Sequence, residues 1–248
     1  MKKIYIGVLL ALSAVNGYGA VDYSAGYSHS AVNNVSKYYE PIEVHSENKQ
    51  YLEYRKGSEN VEVIHSINNE VDRNYVLSEG YIPIGYSEFK DRLLPDSVFV
   101  EQAKKVGSQK VLVYKQGATT VSYSSDDDLN NLDYGYHYSI IFYVKNGVFN
   151  KTDALGVFIG SIPLEKTKLY QRNTGAYVNS VIRNSRAYNS NIVVEDVVTA
   201  INGIELIMPE DLIKVVDRQL EKDRTLNFTI TRIVNNEPRE VQIPVSFN

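Results

Sequence analysis

A mixed α/β fold in two domains is what this sequence predicts, and three stretches carry the prediction. From Tyr81 to Lys145, β-prone runs alternate with a helix-patterned segment, the signature of a small α/β sheet. From Thr174 to Leu206 the chain reads strand, short helix, strand and hairpin, and Asn202-Gly203 between two apolar runs is a strong hairpin signal, because both central residues of a type I′ turn need positive φ. Thr225 to Ile233 and Glu240 to Phe247 alternate apolar with polar residues and read as a closing antiparallel pair, joined by Asn235, Asn236, Glu237 and Pro238. A chain of 248 residues has room for one or two such domains.

Composition narrows the function classes. Hydrophobic residues make up 43% and charged residues 23%, as in ordinary globular proteins, which argues against disorder throughout. Tyrosine is abundant, 20 residues against 7 phenylalanines and no tryptophan, and it suits sheet faces where one end of the ring stays wet. The net charge of −4 and the lack of any basic run argue against nucleic-acid binding. Without cysteine there is no disulfide, no thiolate metal site and no lipid attachment at a cysteine.

The N-terminus reads as a secretory signal peptide over residues 1–19. Lys2 and Lys3 precede an apolar run from Ile4 to Val15, and Gly17, Gly19 and Ala20 supply small residues for cleavage. The run is well short of the ~20 apolar residues needed to span a bilayer, and no later segment approaches that length. The expectation is an exported, soluble chain, periplasmic or secreted, beginning near Ala20 with no transmembrane segment. Residues 20–50 follow as a flexible leader rich in Ser, Asn, Gly and Tyr, with room for one docked tyrosine-bearing strand.

A small α/β domain is expected over 51–146. Short strands are read at Tyr51–Tyr54 and Val61–His65, and a helix over Ile67–Glu79 with Ser66 as N-cap and Gly80 as its stop. Tyr81–Tyr86 reads as a strand. Pro95–Gly107 reads as a helix with Phe99, Ala103 and Val106 on one face, followed by strands at Lys110–Lys115 and Tyr136–Lys145 around a surface loop from Ser122 to Gly135. The residues G-Y-I-P-I-G-Y-S-E-F (80–89) and A-K-K-V-G-S-Q-K-V-L-V-Y (103–114) resemble a small module found in exported bacterial proteins of unassigned function. The turn-rich stretch Asn146–Asp153 is the expected domain boundary.

The second domain, over 154–248, carries the functional signal. Gly175, Ala176, Val178 and Val181 resemble the G-A-x-V-x-x-V strand of the PDZ domain in its bacterial, HtrA-type form. Asn184, Ser185 and Ala187 resemble its N-S-x-A helix start, and Asp196, Val197, Val198, Asn202 and Gly203 its D-V-I-x-x-x-N-G strand and turn. The resemblance implies a partly open β-barrel with two helices. It also implies that Leu155-Gly156-Val157 is the loop that receives a peptide's carboxylate, with Phe158 and Ile159 continuing into the strand that pairs with ligand. Glycine suits that loop because backbone N–H groups converge on an anion only when one residue adopts a conformation open mainly to glycine. The opposite wall is expected to be a helix beginning at Pro209, with Leu212, Val215 and Leu220 toward the core and Ile213 and Val216 toward the groove. The competing reading is that Leu155, Val157, Ile213 and Val216 simply fill a core. Two departures from the pattern stand out. Glu195 occupies a position usually held by glycine, so the turn before Asp196 is expected to be reshaped, and Asp153 lies close to the carboxylate loop, with Lys151 to compensate.

Catalytic signals are weak beside this one. Gly85-Tyr86-Ser87-Glu88-Phe89 lacks the second glycine of a nucleophile elbow. His29, His45, His65 and His137 show no metal-ligand spacing, and Asp126, Asp127 and Asp128 lack the rest of an EF-hand loop. No catalytic residue, cofactor or metal is expected. The leading expectation is a non-catalytic exported protein that binds a protein or peptide partner by β-strand addition. A structural component of an envelope assembly is the alternative, and a hydrolase with a substrate-presenting PDZ domain stands behind both.

Overall fold

The computed structural model describes residues 8–10, 34–43, 49, 51–54, 60–121, 133–147 and 155–248. In chain order the strands are β1 (Val8–Leu10), β2 (Tyr39–Pro41), β3 (Glu62–Ser66), β4 (Tyr81–Asp91), β5 (Lys110–Val121), β6 (Asp133–Lys145), β7 (Val157–Gly160), β8 (Ala176–Val181), β9 (Val197–Ile201), β10 (Ile204–Glu205), β11 (Thr225–Val234) and β12 (Glu237–Ser246). The helices are α1 (Asn34–Lys37), α2 (Asn69–Ser78), α3 (Asp96–Val106), α4 (Thr167–Tyr170), α5 (Arg186–Asn189) and α6 (Asp211–Leu220). The chain divides into two compact units, one of Gly26–Val76 and Tyr81–Gly147, the other of Val148–Asn248 with Met1–Ala25 and Leu77–Gly80. Among the described residues no helix is long and apolar enough to cross a membrane.

The first unit is a mixed sheet in the order β2-β4-β6-β5-β3. The β3 and β5 strands are parallel, and all other neighbours are antiparallel. Because β6 lies antiparallel between them, β4 and β5 run the same way and α3 crosses from one to the other, a split β-α-β unit. Phe99 and Ala103 of α3 pack on Val111, Ile140 and Phe142, the face the sequence pattern assigned to them. Gly107 ends α3 at φ 78°, donating to the Ala103 carbonyl as a C-terminal stop should.

Several boundaries moved. A tyrosine-bearing strand does dock from the leader, as β2 on β4, so residues 34–41 of the expected flexible segment are ordered elements. Tyr39 packs edge-on against Phe142, and its ring fills the space beside Gly85, where a Cβ would come within 2.2 Å of the Tyr39 hydroxyl. Burial pushes the Tyr39 phenol up to about 12. Tyr51–Tyr54 forms no strand; Leu52 makes a single bridge to Asn146. The α2 helix begins at Asn69 because Ser66 spends its hydroxyl on Asp72, while Asn68 Oδ1 accepts the Val71 N–H and does the capping. The β4, β5 and β6 strands all run longer than their apolar cores. Ladder pairing extends past the apolar runs, from Asp91 opposite Tyr136 on one side and to Val121 opposite Asp133 on the other. Asp126, Asp127 and Asp128 lie outside the described residues, as do 148–153 of the boundary stretch.

The second unit is an open sheet in the order β1-β7-β8-β9-β11-β12, with β10 paired to β9, and the described strands do not close into a barrel. Asn202 and Gly203 form the expected hairpin turn at φ 50° and 78°. The final hairpin is tighter than read from sequence. Asn235 and Asn236, at φ 55° and 63°, make a two-residue turn, and Glu237 and Pro238 belong to β12, opposite Val234 and Ile233. Asparagine tolerates left-handed backbone, and proline is acceptable here because β12 is an edge strand. The main cluster of the core sets Leu212, Val215 and Leu220 of α6 against Val198, Phe228 and Ile243 of the sheet, and a smaller one gathers Ile162, Tyr170, Tyr177 and Val197.

Candidate strand-accepting groove

The loop at the head of β7 is built by its neighbours in sequence and across the sheet. Gly156 sits at φ 77°, and a Cβ there would fall 2.2 Å from the Cβ of Ser185. Left-handed backbone and close approach therefore both demand glycine. The Leu155 carbonyl accepts the Ala187 N–H at 2.9 Å, and the Gly156 carbonyl accepts the Ile182 N–H at 2.9 Å and the Ser185 hydroxyl at 3.3 Å. With both carbonyls held by the domain, the N–H groups of Leu155 and Gly156 have no acceptor among the described residues. Two adjacent unpaired N–H groups beside a left-handed glycine are what an anion-binding loop needs.

Ser185 and Ile182 are contributors the sequence did not assign to this loop. Ser185 was legible as the α5 cap, and its side chain does accept the Tyr188 N–H at 3.2 Å. Its second job, bracing Gly156 from 29 residues away, leaves no trace in local spacing.

Beyond the loop, Val157 to Gly160 pair antiparallel with β8, with a register shift between Phe158 and Ile159. The other side of β7 pairs parallel with β1, matching Val8 to Val157, Leu9 to Phe158 and Leu10 to Ile159. Among the described strands, β1 alone lies on that side of β7.

The α6 helix begins two residues after Pro209. Pro209 and Glu210 lie in the preceding turn, and Asp211 closes it by accepting the N–H groups of Ile207 at 3.2 Å and Met208 at 2.9 Å. Those backbone donors hold the Asp211 carboxyl below its usual range. Leu155, Val157, Ile159 and Val216 are all buried in one cluster, and Ile213 is half-buried against it. Phe158, also buried, lies outside that cluster, as alternation along a strand requires. The seven residues read from sequence thus divide by role. Val216, expected toward the groove, instead lies fully buried in the core with Leu155 and Val157, as the competing reading had it, because α6 turns that side of its apolar stripe onto the sheet; Gly156 shapes the loop, Val157 to Ile159 form β7, and Ile213 keeps a partly open surface.

The turn before Asp196 keeps its left-handed geometry instead of being reshaped. Asn191 stands at φ 61° and Glu195 at φ 73°. Non-local contacts offset the cost of a side chain there. The Glu195 N–H donates to the Val178 carbonyl at 2.8 Å, its carbonyl accepts the Tyr170 hydroxyl, and its carboxylate pairs with Lys166. Burial alone would lower the Lys166 pKa, but hydrogen bonds to Glu195 and Tyr177 outweigh it and raise the value. Asp196 itself is fully buried and takes two bonds from Arg232, at 2.7 and 2.8 Å, plus the Val193 N–H. Arg232 also donates to the Asn191 carbonyl, tying both ends of the turn to β11. Lys151 and Asp153 lie outside the described residues.

Ser87 lies mid-strand in β4, fully buried, and donates its hydroxyl to the Val35 carbonyl at 2.8 Å, so it has no elbow geometry. His65 faces Asp96 and His137 faces Glu88 at separate places, and His29 and His45 lie outside the described residues. Among the described residues no group of three or more potential metal ligands gathers.

The β7 strand, led by the glycine loop at Leu155–Gly156 and flanked on its outer side by β1, is backed by the amphipathic helix α6 in the same core. Residues 154–245 match the family model described as PDZ domain, and the C-terminal unit is a PDZ domain, a peptide- and protein-binding module. No curated protein matches the chain. Among solved structures, the chain is similar to the HtrA3 PDZ domain bound to a phage-derived ligand, at 20% identity and TM-score 0.31, over 37% of this chain and 81% of that one. It is also similar to the HtrA-type protease AlgW with a decapeptide, at 14% identity and TM-score 0.30, over 52% of this chain and 40% of that one.

Proposed function

We propose that the protein is an exported, non-catalytic adaptor whose PDZ domain takes up an extended peptide on β7 and seats its terminal carboxylate in the Leu155–Gly156 loop. The observation that carries this reading is that the N–H groups of Leu155 and Gly156 have no acceptor among the described residues, at the head of a strand whose outer side is covered only by β1 among the described strands. A ligand running antiparallel to β7 brings its C-terminus to that loop, and its last side chain then meets the partly open surface around Ile213. An apolar final residue is expected, with affinity roughly micromolar, about −8 kcal/mol. The charged start, short apolar run and small residues of 1–19 support export to the periplasm or beyond. Mass spectrometry of the natively expressed protein tests that part, and an intact Met1 overturns it.

Titration of the chain from Ala20 onward with C-terminal peptides and their amidated forms tests the groove. Amidation is expected to weaken binding at least tenfold, because the loop donors then face a neutral amide. Equal affinity for both forms rejects carboxylate capture. It would favour a second reading, an assembly component that accepts an internal strand, which the terminus-free pairing of β1 on β7 supports.

A further inference from the structure

We infer that the groove is self-occluded in the uncleaved chain, with the apolar N-terminal segment at Val8–Leu10 acting as an intramolecular occupant of β7 that leader removal releases. This rests on the groove reading above and concerns how the same site is regulated. The β7 strand is V-F-I-G, and all four of its residues are buried in the full chain. Such a strand left open is an aggregation template, since its N–H and C=O groups await any passing strand. Strands covered on both faces read as continuous apolar runs, and β7 has that character, so its open edge is an apolar one. In the structure its second neighbour is β1, drawn from the Ile4–Val15 run that also reads as the export signal.

The polarity of the pairing separates this occupant from a ligand. Val8 lies opposite Val157, next to the Gly156 loop, and the segment continues toward Ile159, so it runs parallel to β7. A peptide that seats its carboxylate in the loop must run the opposite way. The segment therefore uses the ladder and brings no carboxylate to the loop, in keeping with the unpaired N–H groups of Leu155 and Gly156. Its advantage is tethering, which replaces solution concentration with an effective local one. Cleavage near Ala20 abolishes that advantage, and a ligand able to use both ladder and loop then takes the site. The chain thus guards its edge before processing and exposes it afterwards.

Two measurements on the full chain test this, each made on the parent and on Leu9→Pro, since proline lacks the N–H and is excluded from strand interiors. Hydrogen exchange of the 157–160 segment is expected to speed up about tenfold or more in the variant. The apparent Kd for a peptide with a free apolar C-terminus is expected to fall by about tenfold, as when the competent fraction rises from one-tenth toward unity. Cutting the full chain at a protease site inserted after Gly19 is expected to reproduce both changes. Unchanged exchange at 157–160 in both the variant and the cut chain overturns the occlusion. Faster exchange without any peptide binding keeps the occlusion and rejects the groove's proposed ligand instead.

Discussion

Gly156 and Ile213 test the groove in different ways. Gly156→Val forces a β-branched residue to φ 77° and drives its Cβ into Ser185, so it is expected to lose about 2 kcal/mol or more of stability along with binding. Ile213→Glu is the cleaner probe. Its half-buried position tolerates the change better in the free domain, whereas a bound apolar residue would desolvate the charge at a cost on the order of a few kcal/mol. Peptide titration paired with thermal unfolding separates the two, and full affinity in Ile213→Glu removes α6 from the groove. The left-handed backbone of Gly156 was legible in the sequence because that requirement is local, whereas the close approach of Ser185 was not. Glu195 was not, since its left-handed backbone is stabilised by Lys166, Tyr170 and Val178, and nothing in the turn's own residues announces them. Asp196 shows the same limit. It reads as one residue of a D-V-I pattern, yet its buried carboxylate depends on Arg232, 36 residues away.

Elements were legible where a backbone rule or a period marks them. The Asn202-Gly203 turn, the Gly107 stop of α3 and the core-facing Leu212, Val215 and Leu220 of α6 follow from positive φ and from 3.6-residue spacing and stand where the sequence put them, whereas Val216, read toward the groove, joins the core. Ends fixed by partners were not. The β4, β5 and β6 strands outrun their apolar cores because each is held by a ladder to its neighbour, and ladder bonds do not depend on side-chain polarity. The final hairpin turned at Asn235-Asn236 because two consecutive asparagines can both take positive φ, a signal that the nearby proline obscured. The α6 start at Asp211 has the same origin, because its carboxylate collects two N–H groups from the preceding turn and leaves Pro209 outside. The pairing of β1 with β7 was beyond reach, because the composition of the N-terminal run says nothing of which edge it can cover.

At the scale of the whole molecule, the packing of the PDZ segment leads to the expectation that it folds independently. Its main cluster is drawn entirely from Leu155 to Phe247, joining β7, β8, β9, β11, β12 and α6. Its end is fastened as well, with Arg186 donating to the carbonyls of Ser246 and Asn248 while stacking its guanidinium over Phe247. A single core of this kind in a chain of about 95 residues falls in the size range where cooperative, two-state unfolding is the rule. Residues 154–248 expressed alone are therefore expected to give one sigmoidal transition in urea, with the same midpoint by circular dichroism and by tyrosine fluorescence. Because this fragment lacks β1, its β7 edge is open, and the measurement belongs at low concentration, with sedimentation checking for edge-to-edge pairing. Non-coincident transitions or a molten product would show that the PDZ unit depends on the rest of the chain, and would move the domain boundary away from Asn146–Asp153.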